Sequence, residues 1–535
     1  MNTIMKMNIP KDGWQGLKEN FSADALSGFL VFLLALPLSL GIAKASEFPP
    51  IYGLLTAMIG GIVVSFIAGS PLTIKGPAAG LIVIVAGSVT ELGHGNAELG
   101  WHLALGAVVV AGVIQVLFGV LKLGKFSDIF PLSAVHGMLA AIGIIIMSKQ
   151  IHILAGVSPL TAEGKSMVEP LELLALLKTT IPNFFVHKEV AIIGLSSLAI
   201  VFGWPMLKVN FLKKIPAPLI VLLVSILMSM AFGLKNTEDF KPLLTFDKGF
   251  FDILGVNVSF EGFHQLGTFI KFVIMFALVG SLEALLTVKA IDMMDPYKRK
   301  SNYNKDLIAV GFGNIIAGIF GGLPMISEVA RSSANVNNGG RTRWANLFHG
   351  IFILIFLIFA VSFSDLIPMT ALAAMLIGVG WKLAHPKEFG HMFKIGADQL
   401  VVFLVTIVVT LATDLLLGIA AGILLKIILH LFRGVSLKSI VKSEFTVEDN
   451  VIHVHGSIVF SNFLTLQAAI QKGDHTAQLH VDVTKVNFID HSSIEALHHM
   501  EDEFKTEGGV LDIIGLQHFD NVHGSKHQLA ARKRK

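Results

Sequence analysis

Long apolar runs separated by short polar connectors make up most of the chain. After a polar amino-terminal stretch with Lys6, Lys11 and Lys18, such runs stand at about 24–43, 51–68, 76–90, 102–121, 128–149, 189–206 and 216–234. A polar stretch over 235–265 then precedes a second group, at about 266–288, 305–321, 324–338, 345–363, 365–383, 398–413 and 415–433. A hydrocarbon core of about 30 Å is crossed by about 20 apolar helical residues. The pattern therefore predicts a polytopic helical membrane protein with fourteen segments in two sets of seven.

Composition agrees. Of 535 residues 53% are hydrophobic and 15% charged, against about 25% charged in soluble globular chains. That excludes a disordered chain and a single soluble domain. There is no cysteine, so no disulfide scaffold or thiolate metal site exists. A net charge of +3 is too small to suggest nucleic acid as a partner. The first run begins near Asp24 and is long enough to span, so no cleavable leader is expected.

Connector charges orient the segments. With the amino terminus inside, the inside loops hold Lys122 and Lys125; Lys208, Lys213 and Lys214; Lys298, Arg299 and Lys300; Arg341 and Arg343; and Lys382, Lys387 and Lys394. The outside connector holds Glu238, Asp239, Asp247, Asp252 and Glu261 against Lys235, Lys241 and Lys248. Lys/Arg excess marks the cytoplasmic side, which predicts both termini inside. A twelve-segment count would move several basic loops outside. The other long outside connector, 151–187, is mixed in charge, and its leucine-rich part near 171–178 suits the membrane interface.

The third segment of each set is peculiar. The first opens on Gly69-Ser70-Pro71-Leu72-Thr73-Ile74-Lys75-Gly76-Pro77-Ala78-Ala79-Gly80, the second on Gly321-Gly322-Leu323-Pro324-Met325-Ile326-Ser327-Glu328-Val329-Ala330-Arg331-Ser332-Ser333. Paired interrupted helices at matching places in two halves point to a transporter site. A helix that starts at mid-membrane exposes free N–H groups and the positive end of its dipole. Two such starts facing each other make a cradle for an anion.

Charges inside apolar segments cost about 3 kcal/mol or more and mark function by default. Lys75 lies just before the first half-helix, Glu328 is placed one turn into the second, and Arg331 follows it by three. Lys75 and Glu328 are a candidate charge pair. Glu283 and Thr287 are four apart, so carboxylate and hydroxyl share a helix face and suit a sodium ion or a proton. Each also has a structural reading: Arg331 snorkels or caps carbonyls, Lys75 and Glu328 form a static pair, and Glu283 is a buried carboxyl. Asp414 reads as a helix cap. His102, His136 and His349 lack metal-type spacing and read as interfacial or satisfied helix residues.

Beyond Gly434 the pattern changes. Residues 445–460 alternate like a strand pair with a turn near Glu448-Asp449-Asn450, 463–471 and 492–505 read as helices, and 478–483 and 511–515 as strands. This is a small α/β domain. The domain plan is thus an amino-terminal segment (1–22), a transmembrane domain (23–434, with halves about 23–234 and 266–434), the α/β domain (435–520) and a basic tail (521–535) whose end, 526–535, is expected to fray.

These residues resemble the SulP inorganic-anion transporters, the sulfate permease type called solute carrier family 26 in animals. The resemblance is carried by Gly76-Pro77-Ala78-Ala79-Gly80, by Ser281-Leu282-Glu283, and by the run 313–324 leading to Arg331-Ser332 and Gly339-Gly340-Arg341-Thr342. It is carried also by a STAS-like stretch, Phe488-Ile489-Asp490-His491-Ser492-Ser493. It implies a 7+7 inverted repeat divided into core and gate domains, elevator-type transport, a homodimer in the inner cell membrane and a cytosolic STAS-like domain open to a regulator. The anion would lie between the half-helices of spans 3 and 10, at Gly76, Ala78, Ala79, Ser327, Glu328, Arg331 and Ser332. In sodium-coupled bicarbonate members an acid and a Thr four positions later on span 8 help hold sodium; Glu283 and Thr287 match that spacing, and Arg331 matches the family's span-10 arginine.

Two departures bear on coupling. Ser327-Glu328-Val329 and Lys75 stand where sodium-coupled relatives carry small uncharged or small polar residues, which opens proton coupling beside sodium coupling. His491 follows Asp490 where bacterial anti-sigma antagonists carry their phosphorylated serine, which argues against phosphoswitching.

The expected function is secondary transport of a small oxyanion, sulfate or bicarbonate, coupled to H+ or Na+, with no other cofactor. The alternative is an uncoupled anion channel or an exchanger for chloride/bicarbonate or dicarboxylate on the same fold. The STAS-like domain argues against a nucleobase permease. No cysteine nucleophile, zinc spacing or phosphate loop supports an enzyme.

Overall fold

The computed structural model describes residues 9–125, 130–159, 167, 170–207, 215–234, 243–244, 249–359, 366–473, 476–522, 524 and 529–535. Lys208, Lys213 and Lys214 of one basic loop, and Lys235, Glu238, Asp239, Lys241, Asp247 and Lys248 of the acidic connector, lie outside the described residues. The chain divides into two compact units, residues 1–124 with 142–382 and residues 125–141 with 383–535.

The first unit is helical. In chain order it holds α1 (Gly13–Ala45), α2 (Ile51–Ser65), the short strand β1 (Lys75–Pro77), α3 (Ile82–Leu92), α4 (Ala97–Val120) and α5 (Leu132–Leu154), which it shares with the second unit. Next come α6 (Pro170–Val186), α7 (Lys188–Gly203) and α8 (Ala217–Ala231). The second half has α9 (Leu266–Met294), α10 (Tyr303–Ile319), strand β2 (Met325–Ser327), α11 (Val329–Asn337), α12 (Trp344–Phe359) and α13 (Met369–Leu383). Among the described residues six helices are long and apolar enough to cross a bilayer: α1, α4, α5, the α7 segment Lys188–Met206, the α9 segment Glu261–Met294, and Leu415–Phe432 of the second unit. Shorter apolar helices occupy five further places.

Small residues let these helices meet closely, as membrane packing without a hydrophobic drive between helices requires. α4 and α10 touch backbone to backbone at Gly112 and Gly311, and α2 and α12 at Gly61 and Gly350. α1 starts at Gly13, well before the apolar run near Asp24. Its early turns are held by rings: Trp14 stacks on Trp344 at 5.6 Å, and Phe21 meets Phe348 edge-on at 5.1 Å. Asp24 is buried and accepts from Arg341 N at 2.7 Å, Thr342 N at 3.0 Å and Thr342 Oγ1 at 2.5 Å, tying α1 to the turn before α12.

The second unit holds α14 (Pro386–Ile395), an amphipathic helix, α15 (Ala397–Ala412) and α16 (Leu415–Phe432). Asp414 caps α16, accepting from Leu417 N at 2.9 Å. The short α17 (Leu437–Val441) leads into a six-stranded sheet in the order β3-β4-β5-β8-β7, with β6 also on β5. The strands are β3 (Glu444–Glu448), β4 (Val451–Ile458), β5 (Gln478–Ile489), β6 (Val510–Ile514), β7 (Phe519–Asn521) and β8 (Arg532–Arg534); α18 (Phe463–Ile470) and α19 (His491–Glu507) complete the domain. The basic tail does not fray at its end: β8 pairs antiparallel with both β5 and β7. The alternating inward residues Leu479, Val481 and Val483 of β5 pack with Leu497, Met500 and Phe504 of α19 in one core.

Asp490 is the N-cap of α19, its Oδ1 accepting from Ser493 N at 2.8 Å. Beside it His491 is buried and its Nδ1–H donates to the Leu529 carbonyl. Burial pushes its pKa down from 6.5 to about 4, against the raising effect of that hydrogen bond. The unfolded chain therefore binds a proton that the folded domain refuses. The stability due to neutral His491 is complete above pH 6.5 and is lost as pH falls towards 4, at most about 3 kcal/mol. Hydrogen exchange across 491–507, corrected for intrinsic rates, should accelerate over that interval. In His491→Gln the acceleration should be blunted.

A candidate anion cradle at the crossing of two half-helices

β1 and β2 are only three residues each, yet they pair antiparallel in the register Lys75↔Ser327, Gly76↔Ile326 and Pro77↔Met325. Each runs into the start of a short helix. Ala78, extended at φ −95°, precedes a single 3-10 turn (Ala79–Leu81) that continues into α3. Glu328, extended at φ −104°, caps α11. The paired strands thus bring two helix starts to one place. Each start carries first-turn N–H groups that have no partner inside its own helix, and each adds the positive end of a dipole.

The strands are held by buried polar side chains. Asn314 brackets β2, donating to Met325 O at 3.1 Å and accepting from Met325 N at 2.6 Å, and donates to Gln115 Oε1 at 2.7 Å. Asn346 accepts from Lys75 N at 3.2 Å and donates to Gly60 O at 2.9 Å. Ser332 Oγ donates to Glu328 O at 2.5 Å and accepts from Ile74 N at 2.9 Å, stitching β1 to the first turn of α11.

Lys75 does not pair with Glu328. Its fully buried ammonium donates to Asp306 Oδ1 at 2.9 Å and to Thr73 Oγ1. Asp306 Oδ2 accepts from Ser327 Oγ at 2.9 Å, and Oδ1 also accepts from Gly69 N and Ser70 N, each at 3.1 Å. The reason is the pleat. Lys75 and Ser327 are register partners and point to one face, where α10 presents Asp306; the next residue, Glu328, points to the other. Glu328 is also not one turn into the helix. It stands at the cap, where its carboxylate accepts from Arg331 N at 2.8 Å.

Arg331 is fully buried, with Nε 3.9 Å from Glu328 Oε2 and Nη2 3.5 Å from Pro77 O. Its Nε and Nη1 have no hydrogen-bond partner among the described residues. A Cβ on residue 76 would collide with Nη1, so glycine there makes room for the guanidinium. Glycine at 80 plays the same part for Glu283, whose carboxylate lies where an alanine Cβ would be. Glu283 Oε1 is buried and unpartnered among the described residues, and Thr287 lies buried one turn along α9. Glu283 and Glu328 are close enough to repel electrostatically.

The structure therefore gathers Gly76, Ala78, Ala79, Glu283, Glu328 and Arg331 around the crossing, and gives the hydroxyls of Ser327 and Ser332 to Asp306 and to the backbone. Asp306, Asn314, Asn346 and Gln115 are further members that sequence reasoning missed. Asp306 stands in the first turn of a helix, where an acid has an ordinary explanation; the three amides carry no charge to draw attention. Of the histidines, His136 meets Glu388 at 3.3 Å and His102 Nδ1 meets Asn257 O at 2.5 Å. His349 is neither interfacial nor satisfied: it is fully buried on α12, both ring nitrogens lack a partner among the described residues, and it feels the charge of Arg331.

Comparison with known proteins bears on this geometry. Residues 21–406 match the model of the sulfate permease family. The "Putative sulfate transporter YvdB" of Bacillus subtilis is 28% identical over 518 residues, 93% of this chain and 92% of its own length. The bicarbonate transporter BicA of Picosynechococcus sp. is 26% identical over 435 residues, 81% of this chain and 74% of its own. Among solved structures, that of SLC26A9 superposes with a TM-score of 0.68 at 16% identity, covering 94% of this chain and 85% of its own. The fold is shared across both the helical part and the small carboxy-terminal α/β domain.

Proposed function

The chain belongs to the sulfate permease family, and from that premise we propose that it is a secondary active transporter of a small inorganic oxyanion, sulfate or bicarbonate, coupled to H+ or Na+. The observation that carries the reading is the head-to-head start of α3 and α11 across the β1/β2 pair, with the Arg331 guanidinium buried beside it. The oxyanion accepts N–H bonds from the starts of both helices, near Ala78, Ala79 and Val329, and a charge-assisted contact from Arg331.

Charge balance supports a coupling cation. Lys75 offsets Asp306 and Arg331 offsets Glu328, so Glu283 leaves the crossing one negative charge. An incoming anion is repelled until that charge is neutralised. A proton on Glu283 does so; Na+ fits as well, since Glu283 and Thr287 supply hard oxygen ligands. Alternating access proceeds by elevator motion of a core domain that carries the crossing and draws on both repeats, in a homodimer of the inner cell membrane. Both termini are cytoplasmic, in keeping with the basic loops at Lys122, Lys298 to Lys300, Arg341 and Arg343, and Lys382 to Lys394. The STAS-like domain then faces the cytosol, open to a regulator.

The test is an uptake panel in proteoliposomes with labelled sulfate, bicarbonate, fumarate and chloride, with and without Na+ and pH gradients. One oxyanion should be concentrated against its gradient, driven by one of the two cations. Glu283→Gln should abolish the response to the cation gradient and leave only equilibrative flux. Flux far above transporter turnover and indifferent to both gradients would make the protein an uncoupled channel instead.

A further inference from the structure

A separate cluster of charge lines a cavity between the end of α1, the end of α5 and the start of α13. The cavity has a volume of about 130 Å3, many times the roughly 10–15 Å3 that a single water needs. Lys44, Glu47, Lys149, Gln150 and Ser158 form its polar wall, and Leu372 belongs to its apolar one. Lys149 Nζ donates to Glu47 Oε1 at 2.6 Å, with Lys149 only 8% and Glu47 26% exposed. That contact joins the carboxy-terminal ends of two helices. Among the described residues its wall holds two lysines and one glutamate.

The backbone at Glu47 is left-handed. α1 closes with Phe48 N bonded to Ala43 O at 3.0 Å and Glu47 N to Lys44 O at 3.2 Å, and Glu47 between them takes φ 61°. Glycine is the ordinary occupant of that left-handed position because a Cβ is disfavoured there. Glu47 holds this geometry, as His94, Lys122, Lys298 and Asp449 also do, and directs its carboxylate to Lys149.

We propose that this cavity captures the incoming oxyanion and that the Lys149–Glu47 pair is its latch. The oxyanion and the Glu47 carboxylate compete for one ammonium. Binding at Lys149 and Lys44 displaces Glu47 and frees the end of α1 from the end of α5. Lys149 keeps a counter-charge throughout, so the exchange never leaves a buried ammonium uncompensated. The inference rests on the transport reading above, which places the end of α1 outside.

The measurement is sulfate or bicarbonate uptake from the outer side in right-side-out vesicles. Lys149→Gln should raise the external KM about tenfold, as loss of one charge-assisted contact does, with the maximal rate little changed. Glu47→Gln, which removes the competitor, should lower it. Lys44→Gln, at an exposed residue, should raise KM about threefold and carries the test if Lys149→Gln does not reach the membrane. Because the chain has no cysteine, a Glu47→Cys/Lys149→Cys double variant can be bridged selectively with a short bis-maleimide. Bridging should stop uptake while either single variant treated alike still transports. Unchanged KM in all three charge variants, or full turnover in the bridged protein, overturns the latch. If Arg331 variants still abolish uptake in that case, the transport reading stands without it; if they do not, the transport reading itself has failed.

Discussion

Arg331→Ala is expected to reduce oxyanion uptake by about thirtyfold to several thousandfold, the cost of removing one partner from a buried charge-assisted contact being about 2–5 kcal/mol. The side chain is fully buried, and two of its three nitrogens have no hydrogen-bond partner among the described residues. A buried guanidinium with open donors is costly unless something else satisfies them, and in the proposed transport cycle an oxyanion at the two helix starts is that partner. Alanine would also leave Glu328 as an uncompensated carboxylate facing the anion, even with Glu283 neutralised by the coupling cation. Arg331→Lys keeps the charge but loses the planar fork, so it should retain a minor fraction of uptake. Arg331→Ala with Glu328→Gln restores the original net charge of the crossing without the donors. If that double variant recovers most of the uptake, Arg331 serves charge balance alone; if it stays dead, the guanidinium contacts the substrate. Uptake by Arg331→Ala at the unaltered rate, with the protein folded in the membrane, would remove the crossing as the anion site.

The places of the apolar segments were legible because a bilayer imposes a length and a composition that few other constraints disturb. The broken segments were legible too, since Gly and Pro open both and each carries ionisable residues. What lay hidden is long-range. β1 and β2 are too short to show a period of two, and their partners stand about 250 residues apart, so nothing local announces that Lys75 and Ser327 share a face. The same blindness covers β8, whose Arg532–Arg534 reads as a solvated tail until β5 and β7 receive it. The start of α1 escaped notice because Gly13 to Phe21 is polar in sequence, and its ordering comes from rings on α12. His349 read as an ordinary histidine; only the packing of α12 shows it to be buried and unpartnered.

Lys75 and Asp306 supply the second large effect, on stability. Asp306→Asn should destabilise the protein by about 3–5 kcal/mol, because breaking a buried ion pair from one side strands the other charge. Asparagine keeps the Oδ1 to which Gly69 N, Ser70 N and Lys75 Nζ all donate, so what is lost is the counter-charge of Lys75, which is left with two neutral acceptors, that oxygen and Thr73 Oγ1. Lys75→Met should cost less: Asp306 would still accept from the two backbone N–H groups and from Ser327 Oγ, three donors that compensate a carboxylate better than two neutral oxygens compensate an ammonium. The double variant Asp306→Asn/Lys75→Met removes both charges and should recover much of the loss, a coupling that additive effects would not give. Thermal unfolding of the four proteins in one detergent reads the cycle. Had Glu328 been the partner of Lys75, Glu328→Gln would reproduce the Asp306→Asn loss and Asp306→Asn would be mild. The pleat of two three-residue strands predicts the reverse, because Glu328 faces Arg331 and leaves Lys75 to Asp306.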